Sequence, residues 1–489
     1  MSKICLSVFE NSTELMWKTI QSELNYINMV ELRIDALDSC EKNELSELIK
    51  KIKKENLDIV WTVRWSEESG NFKDSEAKRL KALLLGDQLK VDWVDIEYNS
   101  KLWKNIQLNS AKLILSYHNF DKVDDNAQGL LINLEKAGAD IVKIAFAANS
   151  TKDLRKVCEL YNHNQKPLIA IAMGEYGECS RILPAVKNLP WTYASCSKNS
   201  TAPGQLKAFT LKNLYRFDKI TQKTKVFCVI GDPVSHSLSP YVHNSLYVKE
   251  SIDAVYVKIH VDDIEEFYKV IDIFKIEGVS ATVPHKESIL SKANADHWLH
   301  KVGAANTMAQ KENKWVIDNT DIAAAIESIQ CLLQIETPKV LILGAGGAAK
   351  GLAWGMTRKG WKLTICNRSI EKAEHLCNQL KADILGWEDR NAHGFDVVVN
   401  CTTLGMQPNE DTTPMEFEGS HTGLIAFDTV YTPEKTLFLK NAKEVGAFTI
   451  SGREMFYRQA AFQHGLWFGE QPPFEAMSDI MERISEAED

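Results

Sequence analysis

Over the first ~215 residues, short β-rich runs return at intervals of roughly 20–35 residues, with charged, helix-compatible stretches filling most of the gaps. The runs are ICLSV from Ile4, MVELRI from Met29, DIVWTV from Asp58, DWVDIE from Asp92, KLILSY from Lys112, ADIVKIAF from Ala139, PLIAIAM from Pro167 and WTYAS from Trp191. Segments such as ELSELIKKIKKEN and EAKRLKALLLGDQLK lie between them. Eight strands alternating with helices predict a parallel (β/α)8, or TIM, barrel, because parallel strands need helical crossovers and eight tilted strands close on themselves. In such barrels chemistry gathers where the strands end at their C-terminal face.

The polar residues follow that rule. Glu31 and Arg33 end the second run, Arg64 the third and His118 the fifth, while Lys143 lies late in the sixth. A lysine among Ile, Val, Ala and Phe must be paired, neutral, or facing a cavity. The reading is of an amine in a barrel mouth shared with a histidine and several arginines. Burial and the cations Arg33 and Arg64 are expected to favour its neutral form, which attacks a ketone to give an imine. His118 is the natural base for the proton next to that imine, and arginines suit a substrate carboxylate. Taken singly, Lys143 could snorkel to solvent and His118 could be a satisfied loop residue. Their joint placement beside ELR and VR favours chemistry.

A polar stretch, FDKITQKTK from Phe217, reads as a short linker before a new strand, VFCVIG. The second half again alternates strands and helices. VLILGAGGAAKG is a strand, a glycine turn and a helix start. Gly344, Gly346 and Ala349 fit G-x-G-x-x-A, with Ala345, Gly347 and Ala348 completing the turn, so backbone amides and the helix N-terminus can approach a pyrophosphate. After the next strand, LTIC, comes Asn367-Arg368-Ser369 rather than an acid. Arg368, with Lys372 nearby, favours a ribose 2′-phosphate, so NADP is the expected cofactor.

The chain's 489 residues suggest about three domains. A formal net charge of −9 argues against a nucleic-acid footprint. Ten cysteines without a CxxC pair fit reduced thiols. No secretory leader pattern or long apolar segment is present, so the expectation is a soluble, cytoplasmic enzyme acting on small molecules, with no membrane partner. His236/His243 and His297/His300 lack acids or cysteines to complete a metal set, and no metal is expected. Oligomeric state is left open.

The first half closely resembles the type I 3-dehydroquinate dehydratases. The match includes Glu31 and Arg33 in ELRID, Arg64 and Glu68 in RWSEESG, His118 in SYHNF, Lys143 in ADIVKIA, Arg181 in MGEYGECSRI, and an APGQ tail ending at Gln205. The resemblance implies that Lys143 forms a Schiff base and that His118 is the general acid/base, assisted by Glu68. It implies that Arg64, Arg181 and Gln205 hold the substrate's carboxylate and hydroxyls. Thr201 stands where the family usually has serine, keeping a hydroxyl for a lid.

The second half resembles the shikimate dehydrogenases. VIGDPVSHSLSPYVHN carries Ser237 and Ser239, ATVPHKE carries Thr282 and Lys286, GAANT carries Asn306, and DNTD carries Asp321. NCTTLGM follows with Thr402 and Met406, then VYTPEKT with Tyr431 and the helix bearing Gln459. The resemblance places Ser237 and Ser239 on a substrate carboxylate. Lys286 can supply or take the proton of a reacting oxygen, oriented by Asp321, although Asp321 could also cap the helix that follows. The implied architecture is a barrel over 1–218 and a two-lobed α/β dehydrogenase. Its substrate lobe would be 226–325, rejoined by 452–489, and its Rossmann-type lobe 326–451. Three residues depart from the family: Ser280 for asparagine, and Ile317 and Ile322 for glycines, which are expected to reshape the pocket wall.

The implied function is dehydration of 3-dehydroquinate followed by NADPH reduction of 3-dehydroshikimate to shikimate. The alternatives are a catabolic quinate/shikimate dehydrogenase paired with the barrel, or a metabolite-sensing regulator. Such a regulator would be expected to lose the catalytic side chains that are all present here.

Overall fold

The computed structural model describes residues 2–197, 204–292 and 297–488. The chain divides into two compact units, Met1–Val283 and Pro284–Asp489.

In the first unit all eight expected runs are strands: β1 (Lys3–Val8), β2 (Met29–Arg33), β3 (Asp58–Thr62), β4 (Trp93–Glu97), β5 (Lys112–Asn119), β6 (Ile141–Ala147), β7 (Leu168–Met173) and β8 (Trp191–Ala194). They pair in parallel in the order β7-β6-β5-β4-β3-β2-β1-β8, a nearly closed barrel. The helix after β2 is amphipathic. Lys42–Lys54 buries Leu45, Leu48, Ile49 and Ile52, one face at helical spacing, and turns its lysines to water. The interior also carries a buried polar layer of Ser7, Glu31, Thr62, Asp95, Glu97, Ser116 and Lys143. Buried charge of that density must be internally paired, which points to a site rather than a core.

The linker is pinned rather than free. Phe217 is fully buried, and the Thr224 hydroxyl donates to Asp253 at 2.7 Å. Three further parallel strands follow in the same unit, β9 (Lys225–Gly231), β10 (Ala254–His260) and β11 (Ile276–Ala281), with β9 in the centre.

After the short helix His297–Val302, the first strands of the second unit form an antiparallel hairpin, β12 (Thr307–Lys311) and β13 (Lys314–Asp318). Its two turn residues, Glu312 and Asn313, have φ of 48° and 62°, the twist a two-residue hairpin requires. Six parallel strands come next: β14 (Lys339–Leu343), β15 (Lys362–Cys366), β16 (Asp383–Leu385), β17 (Val397–Asn400), β18 (Ile425–Asp428) and β19 (Phe448–Ile450). Their order, β16-β15-β14-β17-β18-β19, is the 3-2-1-4-5-6 winding of dinucleotide-binding sheets. The helix Gly452–Phe468 returns to the hairpin, where the Gln463 amide donates to Thr307 and the Trp467 indole donates to the Met308 carbonyl.

The departures from family pattern have local explanations. Ile322 is buried and packs on the helix Gly347–Arg358 at Gly351 and Gly355, where a Cβ on Gly355 would lie 2.3 Å from its Cγ2. Two glycines absorb its bulk. Ile317 is buried on β13 opposite Met308. The Ser280 hydroxyl accepts from buried Tyr256 at 2.7 Å.

Candidate active site

Lys143 sits in the middle of β6, 5% exposed. Its Nζ donates to Asp95 at 3.0 Å and to Glu31 at 3.4 Å, and lies 4.2 Å from the centre of the Tyr193 ring. Its immediate partners are therefore carboxylates and an aromatic face, which corrects the expectation of cationic neighbours. Arg33 is turned away: its guanidinium grips Asp35 with two hydrogen bonds of 2.9 and 2.7 Å, because a carboxylate two residues on at the strand end is its nearest partner. Arg64 does reach the interior, but it is neutralised there. It donates to Glu97 at 3.1 Å, to Ser116 at 3.0 Å and to Asp95 at 3.3 Å. Burial alone would raise Asp95, yet Arg64 and Lys143 outweigh it and hold this carboxyl well below the usual range. Glu31 is likewise held down, burial being opposed chiefly by Lys143, and it accepts from Ser7 at 2.7 Å and Thr62 at 3.0 Å.

His118 is on β5, one strand from Lys143, because the register sets Ser116 beside Lys143 and His118 beside Ala145. Its Nδ1 is 3.0 Å from Glu68 Oε2, and the other Glu68 oxygen accepts from Asn99 at 3.1 Å. Burial first, then Arg64 and Lys143, holds the imidazole well below its ordinary range, so the ring is neutral at pH 7. Burial pushes Glu68 up to about 7, against the pull of Arg64 and Asn99. Arg181 is buried beyond β7, and its Nε donates to the Gly204 carbonyl at 2.8 Å, immediately before Gln205. Burial lowers it to about 10. Thr201 lies outside the described residues.

In the first unit's other sheet, the Ser237 hydroxyl donates to Ser239 at 3.2 Å at the start of the helix Ser239–Lys249. The Thr282 amide continues β11 by donating to Ile230 at 2.9 Å. In the second unit, Lys286 donates to Asp321 at 2.7 Å. Asn319, not Asp321, caps the helix Thr320–Gln330, accepting from the Ile322 amide. The sequence left both roles open to Asp321; with the cap filled, its carboxylate is available to Lys286. Asn306 and Gln459 are buried against each other at 3.4 Å, both within reach of Thr320. Tyr431 is exposed and stacks on Phe456.

The nucleotide turn fits its expected ligand. Gly344, at φ 115°, lets the chain pass Cys401, whose carbonyl would lie 3.0 Å from any Cβ. A Cβ on Gly346 or Gly347 would meet nothing within 4 Å, so the start of the helix Gly347–Arg358 is open to a phosphate. Beside it lies a cavity of about 270 Å³ lined by Ala345, Lys350, Lys372 and His375. Asn367 and Ser369 close the turn after β15 through a 2.8 Å hydrogen bond, leaving Arg368 exposed. Thr402 is held by Asn400 at 2.7 Å, and Met406 is exposed.

Sequence reasoning missed Asp95, Glu97 and Tyr193 in the barrel, and Lys350 and His375 by the nucleotide turn. The first two carried a signal: Asp95 and Glu97 alternate with apolar residues in DWVDIE, at the spacing that puts both on one face.

Fold and site define a chain of two enzymes, a (β/α)8 barrel built round a buried lysine and a doubly wound, dinucleotide-binding oxidoreductase. The family model for type I 3-dehydroquinase matches residues 4–222, the shikimate dehydrogenase substrate binding domain 229–308, and shikimate / quinate 5-dehydrogenase 325–407. The chain is 34% identical to the bifunctional 3-dehydroquinate dehydratase/shikimate dehydrogenase, chloroplastic, of Arabidopsis thaliana, over 99% of this chain and 84% of the relative. It is 30% identical to the shikimate biosynthesis protein AroDE of Chlamydia pneumoniae, over 92% of each. A crystal structure of a shikimate dehydrogenase in complex with NADP+ aligns with TM-score 0.50 and 32% identity, over 54% of this chain and 97% of that one. The chain belongs to the bifunctional 3-dehydroquinate dehydratase/shikimate dehydrogenase family.

Proposed function

We propose that the chain performs two successive steps: dehydration of 3-dehydroquinate to 3-dehydroshikimate at Lys143, and NADPH-dependent reduction of that product to shikimate at Lys286. The observation that carries the reading is the pairing of a buried lysine with a neutral histidine on the adjoining barrel strand. Lys143 Nζ adds to the ketone carbon, and loss of that oxygen as water gives an iminium ion. His118 Nε2 takes the neighbouring C–H proton; the electron pair moves toward the iminium nitrogen, then expels the β-hydroxyl, which leaves as water with the proton from His118. Hydrolysis of the imine frees the amine. Glu31 and Asp95 hold Nζ in place, while Arg64, Arg181 and Gln205 receive the substrate's carboxylate and hydroxyls.

In the second half NADPH, when bound, supplies the hydride. Gly344 to Ala348 receive its pyrophosphate and Arg368 and Lys372 its 2′-phosphate, with Thr402 and Met406 farther along the site. Lys286 gives the proton to the new alkoxide, steered by Asp321. Ser237, Ser239, Thr282, Asn306, Tyr431 and Gln459 hold shikimate. The functional domains then run 1–218, 226–325 with 452–489, and 326–451; the starts of the matched family segments, at 4, 229 and 325, lie close to the starts of these three. Among the described residues no helix is long and apolar enough to cross a membrane. The scattered thiols and small-molecule substrates fit a cytoplasmic enzyme. The direct test supplies 3-dehydroquinate and NADPH and follows the product by mass spectrometry. Shikimate is expected, one per NADPH oxidised; its absence overturns the reading.

Glu68 gives the barrel a pH signature. For Nε2 to act as base, the neutral ring must carry its proton on Nδ1, and that N–H needs a carboxylate to donate to. Protonated Glu68 would instead donate to Nδ1 and leave the hydrogen on Nε2. With Glu68 titrating at about 7, kcat/KM for dehydration is expected to rise with pH through that value. In Glu68→Gln the rise near 7 disappears and the rate falls by roughly tenfold to a hundredfold. A limb unchanged in the variant assigns the titration elsewhere.

A further inference from the structure

Within the first unit, the contacts that join the barrel to the β9–β11 sheet include two sets among the described residues. One is a clamp between helices. Thr151 and Asp262 exchange hydrogen bonds, the Thr151 amide donating at 2.9 Å and the Asp262 amide donating back at 2.9 Å, and Arg155 pairs with Glu266. The other joins two functional loops. Lys258 and His260 alternate on β10, so both project from one face. Both hold groups from the barrel turn Glu175–Arg181 and from the loop that runs to Ser237 and Ser239, His260 also lying 3.9 Å from Glu175. Lys258 Nζ donates to the Ser235 carbonyl at 3.0 Å and lies 3.7 Å from Glu178. His260 Nε2 is 2.7 Å from Asp232, and its ring stacks on Tyr176 with centroids 4.2 Å apart and planes at 15°. Glu178 is fixed in turn by the Tyr215 hydroxyl at 3.2 Å.

The loop residues Asp232 and Ser235 are thus tied to β10 by side chains that the barrel braces from the far side. Restricting a loop before its ligand arrives lowers the ordering cost of binding. We propose that Tyr176 and Glu178, both barrel residues, are positioning residues for the dehydrogenase: they hold Lys258 and His260, and through them the loop that takes shikimate. The proposal rests on the reading that Ser237 and Ser239 bind shikimate, and it makes the dehydrogenase's affinity for its substrate dependent on the barrel.

The test uses the full chain and shikimate oxidation with NADP+, which needs no turnover in the barrel. Tyr176→Ala combined with Glu178→Gln is expected to raise the shikimate KM about three- to tenfold, with kcat within about twofold and the NADP+ KM unmoved. Tyr176→Phe keeps the stacked ring and should keep the KM. Arg155→Met, which opens only the helix clamp, should lower thermal stability without moving the shikimate KM. The proposal is overturned if the double variant leaves that KM unchanged, if kcat and both KM values worsen together, or if Arg155→Met moves it equally. Ser237→Ala, run alongside, separates the two ideas. A raised KM there with none in the double variant sinks the positioning role alone. No effect of Ser237→Ala removes the shikimate-loop reading and the proposal with it.

Discussion

Lys143→Ala is expected to cut dehydration of 3-dehydroquinate by roughly 10⁵-fold or more, the scale on which a held, covalent nucleophile outperforms one from solution, while shikimate oxidation stays within about twofold. The asymmetry follows from placement. The amine lies inside the barrel, where its partners Asp95 and Glu31 are barrel residues. Removing it also takes the paired cation from buried Glu31, while Asp95 keeps Arg64; a buried charge left unpaired costs about 3–5 kcal/mol. A fall in thermal stability is therefore expected, and shikimate oxidation, measured on the same sample, serves as the check that the chain is still folded. Borohydride added during turnover should fix the imine, so that digestion yields a Lys143 peptide heavier by the reduced ligand. Persistence of dehydration in the variant, or an unlabelled peptide from the wild type, would end the covalent account. Loss of both activities together would show that the halves are not separable catalysts.

How far that account could be read in advance depended on the range of the interaction involved. Strand positions were legible because each barrel strand is a short apolar run bounded by polar helices, and that pattern is local. The interior position of the lysine was legible too, since Lys143 in ADIVKIAF sits among apolar residues and is buried. Its partners were not. Asp95 is 48 residues from Lys143 and Glu31 is 112, and the register that brings them together is a property of the closed barrel. Counting cations near strand ends therefore assigned Arg33 to the amine, when a carboxylate two residues away claims it. The same limit explains Ile322, whose excess volume is matched by Gly351 and Gly355 on a helix the sequence does not pair with it. Resemblance supplied the pairing of Glu68 with His118, which spacing alone could not.

In the second half, Lys286→Met is expected to lower kcat for reduction of 3-dehydroshikimate by roughly 10²- to 10⁴-fold, the usual yield of a positioned proton donor, with dehydration unaffected. Methionine keeps most of the side chain's length and removes the proton. Asp321→Asn keeps the lysine but weakens the 2.7 Å contact that aims it, so a smaller loss, about tenfold to a hundredfold, is expected. The pair also distinguishes proton transfer from simple anchoring. If Lys286 only bound substrate, its loss would raise KM for 3-dehydroshikimate and spare kcat at saturation. If it delivers the proton, kcat falls at saturating substrate and the KM for NADPH stays put. Asp321 then matters through Lys286, so combining both substitutions should cost little more than Lys286→Met alone. Near-normal reduction by Lys286→Met would leave the alkoxide's proton without a source among these residues and force the assignment elsewhere.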